Sequence, residues 1–404
     1  MLKIFIIVIL MLIIVYALHF ILINVGNLKK IKKIEIKNKK NFFAIIIAAR
    51  NEELVIEKLI KSLQRQKYPK DKYEIYVIAN NCTDNTASVA KKAGATVIEC
   101  TEKVKSKGDV LKYTFGKLKD NKEIDAYAIF DADNLVDNNF LNEMNNTINK
   151  GYNVSQGFRD TKNIGDNWLS SSYAILYYID NLFINRARHN MKMSAVLNGT
   201  GIIIKKEIID KYGYDPKTLT EDVEFTVLCA LNDQKIAFTE TAIIYDEQVT
   251  DIKTSLKQRK RWSFGALQCL KVYYKDLIKK IFKDKSYCAL DILLFTMSII
   301  FHVLTAVLTI LLTIDVIINI NSINLINLLL ITLISLLIIY MCGILVRIYL
   351  IKRYNKKIKD NIGGILLFDL FLITWIPINF ICLFIEKCNW DSIKHNRNID
   401  IEKA

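Results

Sequence analysis

The residues best suited to chemistry are two aspartates, Asp131 and Asp133, which follow a short apolar run and are separated by one alanine. Two carboxylates at this spacing after a buried strand can place oxygens around one Mg²⁺ or Mn²⁺, an ion that usually takes one or two protein carboxylates together with substrate phosphates. Such an ion would neutralise the charge of a departing diphosphate and so stabilise a transition state. Because D-x-D also arises by chance, its meaning depends on the polar residues around it.

Polar residues end two earlier apolar runs as well. The first run ends in ARNE at residues 49–52, and the second ends in NNCTD at residues 80–84. Together with Asp131 and Asp133 these groups supply what a nucleotide pocket needs, namely donors and acceptors for a base and carboxylates for a metal. Taken singly, Arg50 or Asp84 is better explained as an ordinary turn or helix-cap residue.

Three more polar groups follow further along the chain: NGTG at residues 198–201, TED at 220–222 and Q-x-x-R-W at 258–262. Glu221-Asp222 has a structural alternative, since acidic residues are favoured at a helix N-terminus. Arg261-Trp262 has one too, because both residue types suit the interface between a membrane and water.

The elements that must position these residues are strands and helices in alternation. From residue 41 to about residue 127, the apolar runs FFAIIIAA, YEIYVIA, ATVIE and AYAIF alternate with helical stretches. Continuous apolar strands separated by helices indicate a parallel sheet covered on both faces. The sequence therefore predicts a doubly wound α/β domain, in which ligands bind at the carboxyl ends of the strands.

The composition divides the chain into membrane and globular parts. Its 404 residues carry a net charge of +15, yet 52% are hydrophobic and the mean hydropathy is +0.21. This apolar fraction excludes a disordered chain. The apolar residues concentrate in four runs long enough to cross a bilayer, at residues 4–25, 290–318, 325–346 and 365–385.

Charge beside these runs indicates their orientation, because Lys and Arg are retained on the cytoplasmic side. Residues 29–40 and 352–359 are strongly basic, whereas the turn near residues 319–324 is uncharged. We therefore expect a multi-pass protein of the cell membrane with a cytoplasmic central domain. The first run is too long for a signal-peptide core and is expected to be a retained anchor. The same rule places the N-terminus and the polar tail on the outer side of the membrane, and a re-entrant segment near residues 267–281 would reverse the side of the tail.

Ionisable residues and cysteines give further expectations. A charge at mid-bilayer costs about 2.5 to 3.5 kcal/mol on insertion scales, so Asp369 should face protein or water, whereas Asp291 and Asp315 should reach the interface. The eight cysteines form no C-x-x-C pair, which favours reduced thiols. The basic residues cluster beside the runs predicted to cross the bilayer, and the sequence contains no DNA- or RNA-binding motif. We therefore expect no nucleic-acid partner.

In this order and spacing, AARNEE, NNCTDNT, Lys107-Gly108, DAD, NGTG, TED and QRKRW resemble the processive membrane enzymes of glycosyltransferase family 2. Poly-N-acetylglucosamine, cellulose and hyaluronan synthases belong to this group. The resemblance covers residues 41–262 and the arrangement of apolar runs, and the tail W-x-x-I-K-H-x-R at residues 390–397 is similar to tails of bacterial members. One departure is that Ala79-Asn80 stands where the family often has Asp-Asp, so an amide replaces the carboxylate expected at uracil.

The resemblance implies a cytoplasmic GT-A domain with a mixed, mainly parallel sheet, flanked by transmembrane helices. The implied divisions are an anchor at residues 1–28, the GT-A domain at 41–265, an amphipathic interface segment at 266–286, a three-helix membrane region at 287–388 and a polar tail at 389–404.

The resemblance also implies inverting transfer from a UDP-sugar such as UDP-GlcNAc or UDP-Glc, with Mg²⁺ or Mn²⁺ as cofactor. Asp222 would be the general base, with Glu221 beside it, and Asp133 would ligate the metal with Asp131. The residues implied at the nucleotide-sugar are Ala49, Arg50, Glu52, Asn80, Asp84, Lys107 and Asp131. Those implied at the acceptor and diphosphate are Gly199, Thr200, Gln258, Arg261 and Trp262.

The motifs do not distinguish between two classes of acceptor. The first hypothesis is a growing β-linked polysaccharide or envelope glycan, and the alternative is a glycolipid synthase that adds one or a few sugars to a lipid such as diacylglycerol. A non-catalytic membrane scaffold is a remote alternative. Expected partners are the UDP-sugar, a glycan or lipid acceptor, membrane lipid and an accessory export or regulatory subunit.

Overall fold

The computed structural model describes residues 2–29, 39–104, 106–319, 325–388, 395 and 397–403. Most of the basic segment at residues 29–40, the turn near residues 320–324 and Trp390 of the tail lie outside these residues. The interpretations given for those three segments therefore stay predictions.

The four short apolar runs predicted as strands form the first four strands of an eight-stranded sheet. Their spatial order is β3-β2-β1-β4, and all four are parallel. Their bounds are β1 Phe43–Ala49, β2 Tyr73–Asn80, β3 Thr96–Cys100 and β4 Ala126–Asp131. Three crossover helices connect them, α2 Ile56–Gln64, α3 Thr86–Lys92 and α4 Lys107–Leu118. Residues 43–47 are fully buried, which confirms that both faces of this part of the sheet are covered.

The second half of the sheet makes it mixed. Its strands are β5 Leu135–Val136, β6 Val154–Thr161, β7 Ile202–Lys205 and β8 Ile236–Asp246. β7 runs antiparallel between β4 and β6, whereas β8 pairs parallel with β6 and antiparallel with β5. The predicted mixed, mainly parallel α/β sheet is confirmed.

Helices in the second half bring the downstream motifs toward the sheet. They are α5 Phe140–Asn149, α6 Trp168–Ile179, α7 Ala187–Asn190, α8 Lys206–Tyr212 and α9 Glu221–Leu231, and a π-helical turn, Asp180–Arg186, joins α6 to α7. α9 begins at Glu221, so the acidic pair of the TED motif occupies a helix N-terminus. Acidic side chains are favoured there by the helix dipole.

One long helix links the α/β domain to the apolar helices. α10, Ile252–Asp284, has 33 residues and carries the Q-x-x-R-W motif, and the Asp251 side chain caps its N-terminus by accepting from the backbone N–H of Thr254. The predicted domain boundary between residues 265 and 266 falls within this helix.

Four helical segments are long and apolar enough to cross a membrane: Leu2–Leu28, Ser298–Ile318, Leu325–Arg353 and Ile358–Phe384. They overlap the four runs that the sequence predicts to cross the bilayer, at residues 4–25, 290–318, 325–346 and 365–385. The helices are α1 Leu2–Asn24, α11 Tyr287–Thr296, α12 Ser298–Ile318, α13 Leu325–Arg353, α14 Ile362–Ile373 and α15 Trp375–Phe384. The run predicted at residues 290–318 is thus broken at Met297, and the last run is broken at Thr374, just before Pro377, which suits only the first turn of a helix.

The position of Asp291 differs from the expectation that it reaches the membrane interface. Predicted to reach the interface, its side chain is instead fully buried and accepts two hydrogen bonds from Arg188, at 2.9 and 3.0 Å, and lies 2.9 Å from His19 Nε2. The reason is that α11 packs between α1 and the α/β domain instead of opening the second membrane run. Asp369 meets protein as predicted, 2.5 Å from Arg347, and all eight cysteines are reduced.

Candidate active site

A cavity of 490 Å³ opens at the carboxyl edge of the sheet. Ala49, Arg50 and Glu52 reach it from the end of β1, and Asn80 reaches it from the end of β2. The chain turns at these points through Asn51 and Asn81, whose φ angles of 59° and 47° are left-handed. Asparagine tolerates this conformation better than most residues, which explains its presence at both turns.

Asp131 lies at the end of β4 and is held by Lys107. Lys107 Nζ donates to the Asp131 carboxylate and, at 2.7 Å, to the Gly199 carbonyl. Although burial opposes its charge, the carboxylates of Asp131 and Glu221 raise the pKa of Lys107. Lys107 is therefore a fixed cation at the start of α4, between the D-x-D and TED motifs.

Asp133 is 5% exposed and lines the same cavity. Its carboxylate accepts from the backbone N–H of Glu247 at 3.2 Å. Burial raises the pKa of Asp133 to about 8, with nearby Asp246 adding to the effect and His395 opposing it. A carboxylate this buried among other carboxylates is stabilised by a cation.

Asp222 faces the cavity from the first turn of α9. Gly199 lies against it, so that a β-carbon at Gly199 would be 3.4 Å from Asp222 Oδ2. Burial raises the pKa of Asp222, and burial together with Asp222 raises that of Glu221 to about 7. A buried carboxylate with a raised pKa is a stronger base than an exposed one, as general-base catalysis requires.

Gln258, Arg261 and Trp262 line the cavity from α10. The helix can approach the TED loop because residue 265 is glycine: a β-carbon there would lie 2.5 Å from Thr220 Cγ2 and 3.0 Å from its backbone nitrogen. Trp262 packs edge-on against Tyr173, with the ring centroids 6.1 Å apart. The Q-x-x-R-W and TED motifs are thus held against each other over the cavity.

Two of the predicted site residues do not line this cavity. Asp84 accepts from the backbone N–H groups of Glu53 and Thr86, at 3.2 and 3.0 Å, so it orders the turn before α3. Thr200 is buried behind Asp131 and accepts from its backbone N–H at 3.0 Å. The other predicted residues are brought together: Ala49, Arg50, Glu52, Asn80, Lys107, Asp131, Asp133, Gly199, Glu221, Asp222, Gln258, Arg261 and Trp262.

Several cavity residues were missed by the sequence analysis. Arg159 and Asp246 form a buried pair, with Arg159 Nε 3.0 Å from Asp246 Oδ2 and the guanidinium 4.0 Å from the centre of the Tyr177 ring. Both lie near the carboxyl ends of the parallel strands β6 and β8, so the rule that located Asp131 applies to them too. Asn198 was within a motif, and both polar atoms of its side chain are buried without a partner among the described residues.

His395 of the tail also enters the cavity. Its Nδ1 lies 3.0 Å from Glu52 Oε1, and its Nε2 lies 3.9 Å from Asp133 Oδ2. Arg397 fixes this part of the tail through the Asp166 carboxylate and through its backbone N–H, 3.1 Å from Glu247 Oε2. His395 and Arg397 of the tail thus lie beside the α/β domain, which corrects the expectation that the tail lies on the opposite side of the membrane from this domain.

Asp131 and Asp133 fit a divalent cation with few protein ligands. Within the described ranges, no three His, Cys, Asp or Glu side chains are grouped so as to hold an ion by themselves. Mg²⁺ is usually bound through one or two carboxylates together with substrate phosphates. The donor set therefore suits an ion bound jointly with a diphosphate.

Residues 40–265 match the family described as "Glycosyltransferase like family 2". The chain is 26% identical over 254 residues to the beta-monoglucosyldiacylglycerol synthase of a Nostoc species, a match that covers 61% of this chain and 53% of that protein. It is 24% identical over 302 residues to the probable glycosyltransferase YdaM of Bacillus subtilis, covering 68% of this chain and 66% of that protein. The matched region thus spans only half to two thirds of the length of these relatives.

Among solved structures, the chain is similar to the mannosyltransferase PcManGT from Pyrobaculum calidifontis, determined in complex with GDP-Man and Mn²⁺. The TM-score is 0.63 at 15% identity, and the match covers 94% of this chain and 99% of that one. This likeness shows the fold, a GT-A fold. Since the family match covers more than half of the chain and its relatives are glycosyltransferases, this chain is a glycosyltransferase that belongs to glycosyltransferase-like family 2.

Proposed function

We propose that this enzyme transfers a sugar from a UDP-sugar, with inversion, to a hydroxyl group of a membrane lipid. The observation that carries the proposal is the extent of the cavity. It runs from Asn80 and Asp131 past Asp222 to residues of the apolar helices, among them Ile299 of α12 and Trp375 of α15. A donor from the aqueous side and an acceptor from the bilayer can therefore meet at Asp222.

Asp222 is the proposed general base. It takes the proton of the acceptor hydroxyl while the hydroxyl oxygen bonds to the anomeric carbon and the bond to the UDP oxygen breaks. General-base assistance of this kind contributes on the order of 10² to 10⁴ in rate. Attack opposite the departing UDP converts an α-linked donor to a β-linked product.

The charged and polar groups around Asp222 would bind the nucleotide-sugar donor. Arg261 and Lys107 supply positive charge toward the diphosphate, and Asn80 lies where a uracil would bind. Asp131 and Asp133 would hold the divalent cation, which when bound neutralises charge on the departing UDP. Asn198, whose side chain has no described partner, is placed to bond a sugar hydroxyl.

The relatives favour a lipid acceptor, which was the alternative hypothesis from the sequence, over a growing polysaccharide, which was the first hypothesis. The name of the Nostoc relative specifies a glucosyldiacylglycerol product. The polysaccharide hypothesis keeps one observation in its favour: the indoles of Trp262 and Trp375, 6.5 Å apart, both line the cavity, and such surfaces suit a sugar ring.

We further propose that the α/β domain lies on the cytoplasmic side. The basic loop at residues 352–359 contacts this domain, with Lys356 Nζ 3.1 Å from Asp160 and Arg353 3.4 Å from Glu240. The loop and the domain therefore share one side of the membrane, and basic loops are retained on the cytoplasmic side.

The test uses the full chain reconstituted in phosphatidylcholine vesicles that contain diacylglycerol, with Mn²⁺ or Mg²⁺ and a panel of UDP-sugars. We expect UDP release and one lipid-soluble glycosylated product, both lost in Asp222→Asn. A ladder of water-soluble oligomers would favour the polysaccharide hypothesis. No UDP release with any donor, or full activity of Asp222→Asn, would overturn the proposal.

A further inference from the structure

The membrane end of the cavity is polar but uncharged. The side chains that α11, α12 and α15 contribute there include no Lys, Arg, Asp or Glu; among them are Ile299, His302, Trp375 and Asn379. A buried or membrane-facing polar group is expensive unless it is hydrogen-bonded, so this polar lining requires a specific arrangement of bonds. That arrangement is a chain of hydrogen bonds across three helices.

The chain of bonds starts at Trp375 of α15 and ends at His302 of α12. Trp375 Nε1 donates to Ser263 Oγ of α10 at 3.0 Å, and Ser263 Oγ lies 2.6 Å from Asn379 Oδ1. Asn379 Nδ2 in turn lies 3.2 Å from His302 Nδ1. Ser263 and Asn379 are 4% and 1% exposed, so neither exchanges these partners freely with water.

The direction of each bond follows from the two atoms that meet. An indole N–H can only donate, so Ser263 Oγ accepts from Trp375, and an amide carbonyl oxygen can only accept, so Ser263 Oγ donates to Asn379 Oδ1. The amide group of Asn379 then directs its N–H toward His302 Nδ1, which must accept. In a neutral imidazole the other nitrogen carries the hydrogen. His302, which lines the membrane end of the cavity, therefore carries its hydrogen on Nε2.

We propose that His302 binds the headgroup of a neutral, hydroxyl-bearing lipid, donating from Nε2 to one headgroup oxygen while the free hydroxyl reaches Asp222. The side chains of α11, α12 and α15 suit a glycerol-type headgroup and offer no cation for a phosphate, while Arg261 of α10 is assigned to the diphosphate of the donor. Ile299, one turn before His302 on α12, supplies apolar contact for the adjoining chain. The inference rests on the proposed lipid acceptor and names the residues that select it.

The test compares four forms of the full chain in phosphatidylcholine vesicles with varied mole fractions of diacylglycerol and the most active UDP-sugar. His302→Phe removes the donor and keeps a ring, whereas His302→Gln restores an N–H. Asn379→Leu removes the group that fixes the tautomer. Ile310→Ala is the matched control, since Ile310 lies on α12 but is 59% exposed on its outer surface.

We expect His302→Phe and Asn379→Leu to raise the KM for diacylglycerol about fivefold to tenfold, as the loss of one neutral hydrogen bond predicts. The KM for the UDP-sugar should stay at the wild-type value in both variants. The melting temperature should stay at the wild-type value in His302→Phe, whereas Asn379→Leu should lower it, because the buried Ser263 hydroxyl loses its acceptor. His302→Gln should recover most of the acceptor affinity, and Ile310→Ala should match wild type.

Two results would overturn the inference while leaving the proposed function intact: an unchanged acceptor KM in His302→Phe, or an equal rise of the donor and acceptor KM values, which indicates a structural role. A preference of wild type for phosphatidic acid over diacylglycerol would also overturn it. Failure of wild type to glycosylate any lipid, with UDP release in the presence of a glycan acceptor, would overturn the proposed function itself.

Discussion

Gly265 of α10 lies directly over Thr220, the residue that precedes Glu221 and Asp222. A β-carbon at Gly265 would fall 2.5 Å from Thr220 Cγ2 and 2.8 Å from Thr220 Oγ1, closer than side-chain β-carbons approach other atoms. The close approach fixes the position of α10, which carries Arg261 and Trp262, relative to the start of α9, which carries Asp222.

Gly265→Ala should displace the TED loop and lower kcat. A misplacement of a catalytic group by about 1 Å can reduce the rate on the order of 10²-fold, and we expect a loss of that order with little change in UDP affinity. Steady-state kinetics and UDP titration measure the two effects. The control is Gly116→Ala on α4, where an added β-carbon meets nothing within 4 Å; similar rates for both variants would contradict the prediction.

Lys107→Met should leave three carboxylates, those of Asp131, Glu221 and Asp222, without the cation between them. Hydrogen bonds to charged groups contribute about 1.5 to 3 kcal/mol, so kcat/KM for the UDP-sugar should fall roughly 10- to 100-fold. Lys112→Met is the comparison, because Lys112 lies on the same helix in an exposed ion pair with Asp215. The prediction is wrong if both variants retain wild-type kcat/KM.

The activity should have an acid limb set by Asp222. Burial raises the pKa of Asp222 above its ordinary value of 3.8, and a general base acts only when deprotonated. The kcat/KM should therefore fall as the pH decreases through this raised pKa, at a higher pH than an exposed aspartate would give. Because Lys107 lowers the pKa of Asp222, the residual activity of Lys107→Met should show its acid limb at higher pH. An unmoved limb would show that another group controls the profile.

Chelation of divalent cations should abolish transfer, and Mg²⁺ or Mn²⁺ should restore it. Asp133→Asn should need a markedly higher metal concentration for the same activity, because a carboxylate proposed to hold the cation has become an amide. Isothermal titration of Mn²⁺ in the presence of UDP provides a readout that does not depend on turnover. Asp71→Asn, an exposed change outside the cavity, should bind Mn²⁺ as wild type does; equal Mn²⁺ affinity of Asp133→Asn would refute the assignment.

Arg188→Met should destabilise the chain strongly. It leaves Asp291 fully buried with His19 as its remaining described ionisable partner, and removing one partner of a buried ion pair typically costs about 3 to 5 kcal/mol. Thermal unfolding in detergent measures the loss. Lys205→Met breaks a pair whose Glu207 side chain is 63% exposed, and such surface pairs contribute about 0 to 1 kcal/mol. Comparable shifts of the melting temperature in the two variants would argue against a structural role for the buried ion pair between Arg188 and Asp291.

The strands and the main site residues were predictable because their signals are local. Phe43–Ala49 and Ala126–Asp131 are continuous apolar runs, and Asp131 and Asp133 follow the second of them directly. Parallel strands place their carboxyl ends at one edge, so clusters that are far apart along the chain were expected to meet. The helix N-terminus at Glu221, noted as a structural alternative for the TED motif, is also a local signal, because acidic residues are favoured in the first turn of a helix.

Other features depended on contacts between distant segments. Asp291 looked like a residue near the end of a membrane run, and only the packing of α11 against Arg188 and His19 buried it. Asp84 was implied at the nucleotide-sugar by the resemblance alone; its carboxylate instead accepts from the backbone N–H groups of Glu53 and Thr86, in line with the turn role that its residue type indicates when it is taken singly. His395 belongs to a sequence motif, but the sequence does not give its position in the fold. Only the tertiary structure places it beside Glu52.

The sequence by itself determined the family, the α/β sheet, the four apolar helices and most of the residues that line the cavity at the carboxyl edge of the sheet. Periodicity, strand-end polarity and motif spacing are properties of short segments, so they can be read without the tertiary structure. Only the tertiary structure decided which polar groups share the cavity, which charges are buried in pairs, and that Ser263, Trp375, Asn379 and His302 form one directed chain of hydrogen bonds. These depend on the approach of α10, α12 and α15, helices far apart along the chain whose relative placement no local pattern encodes.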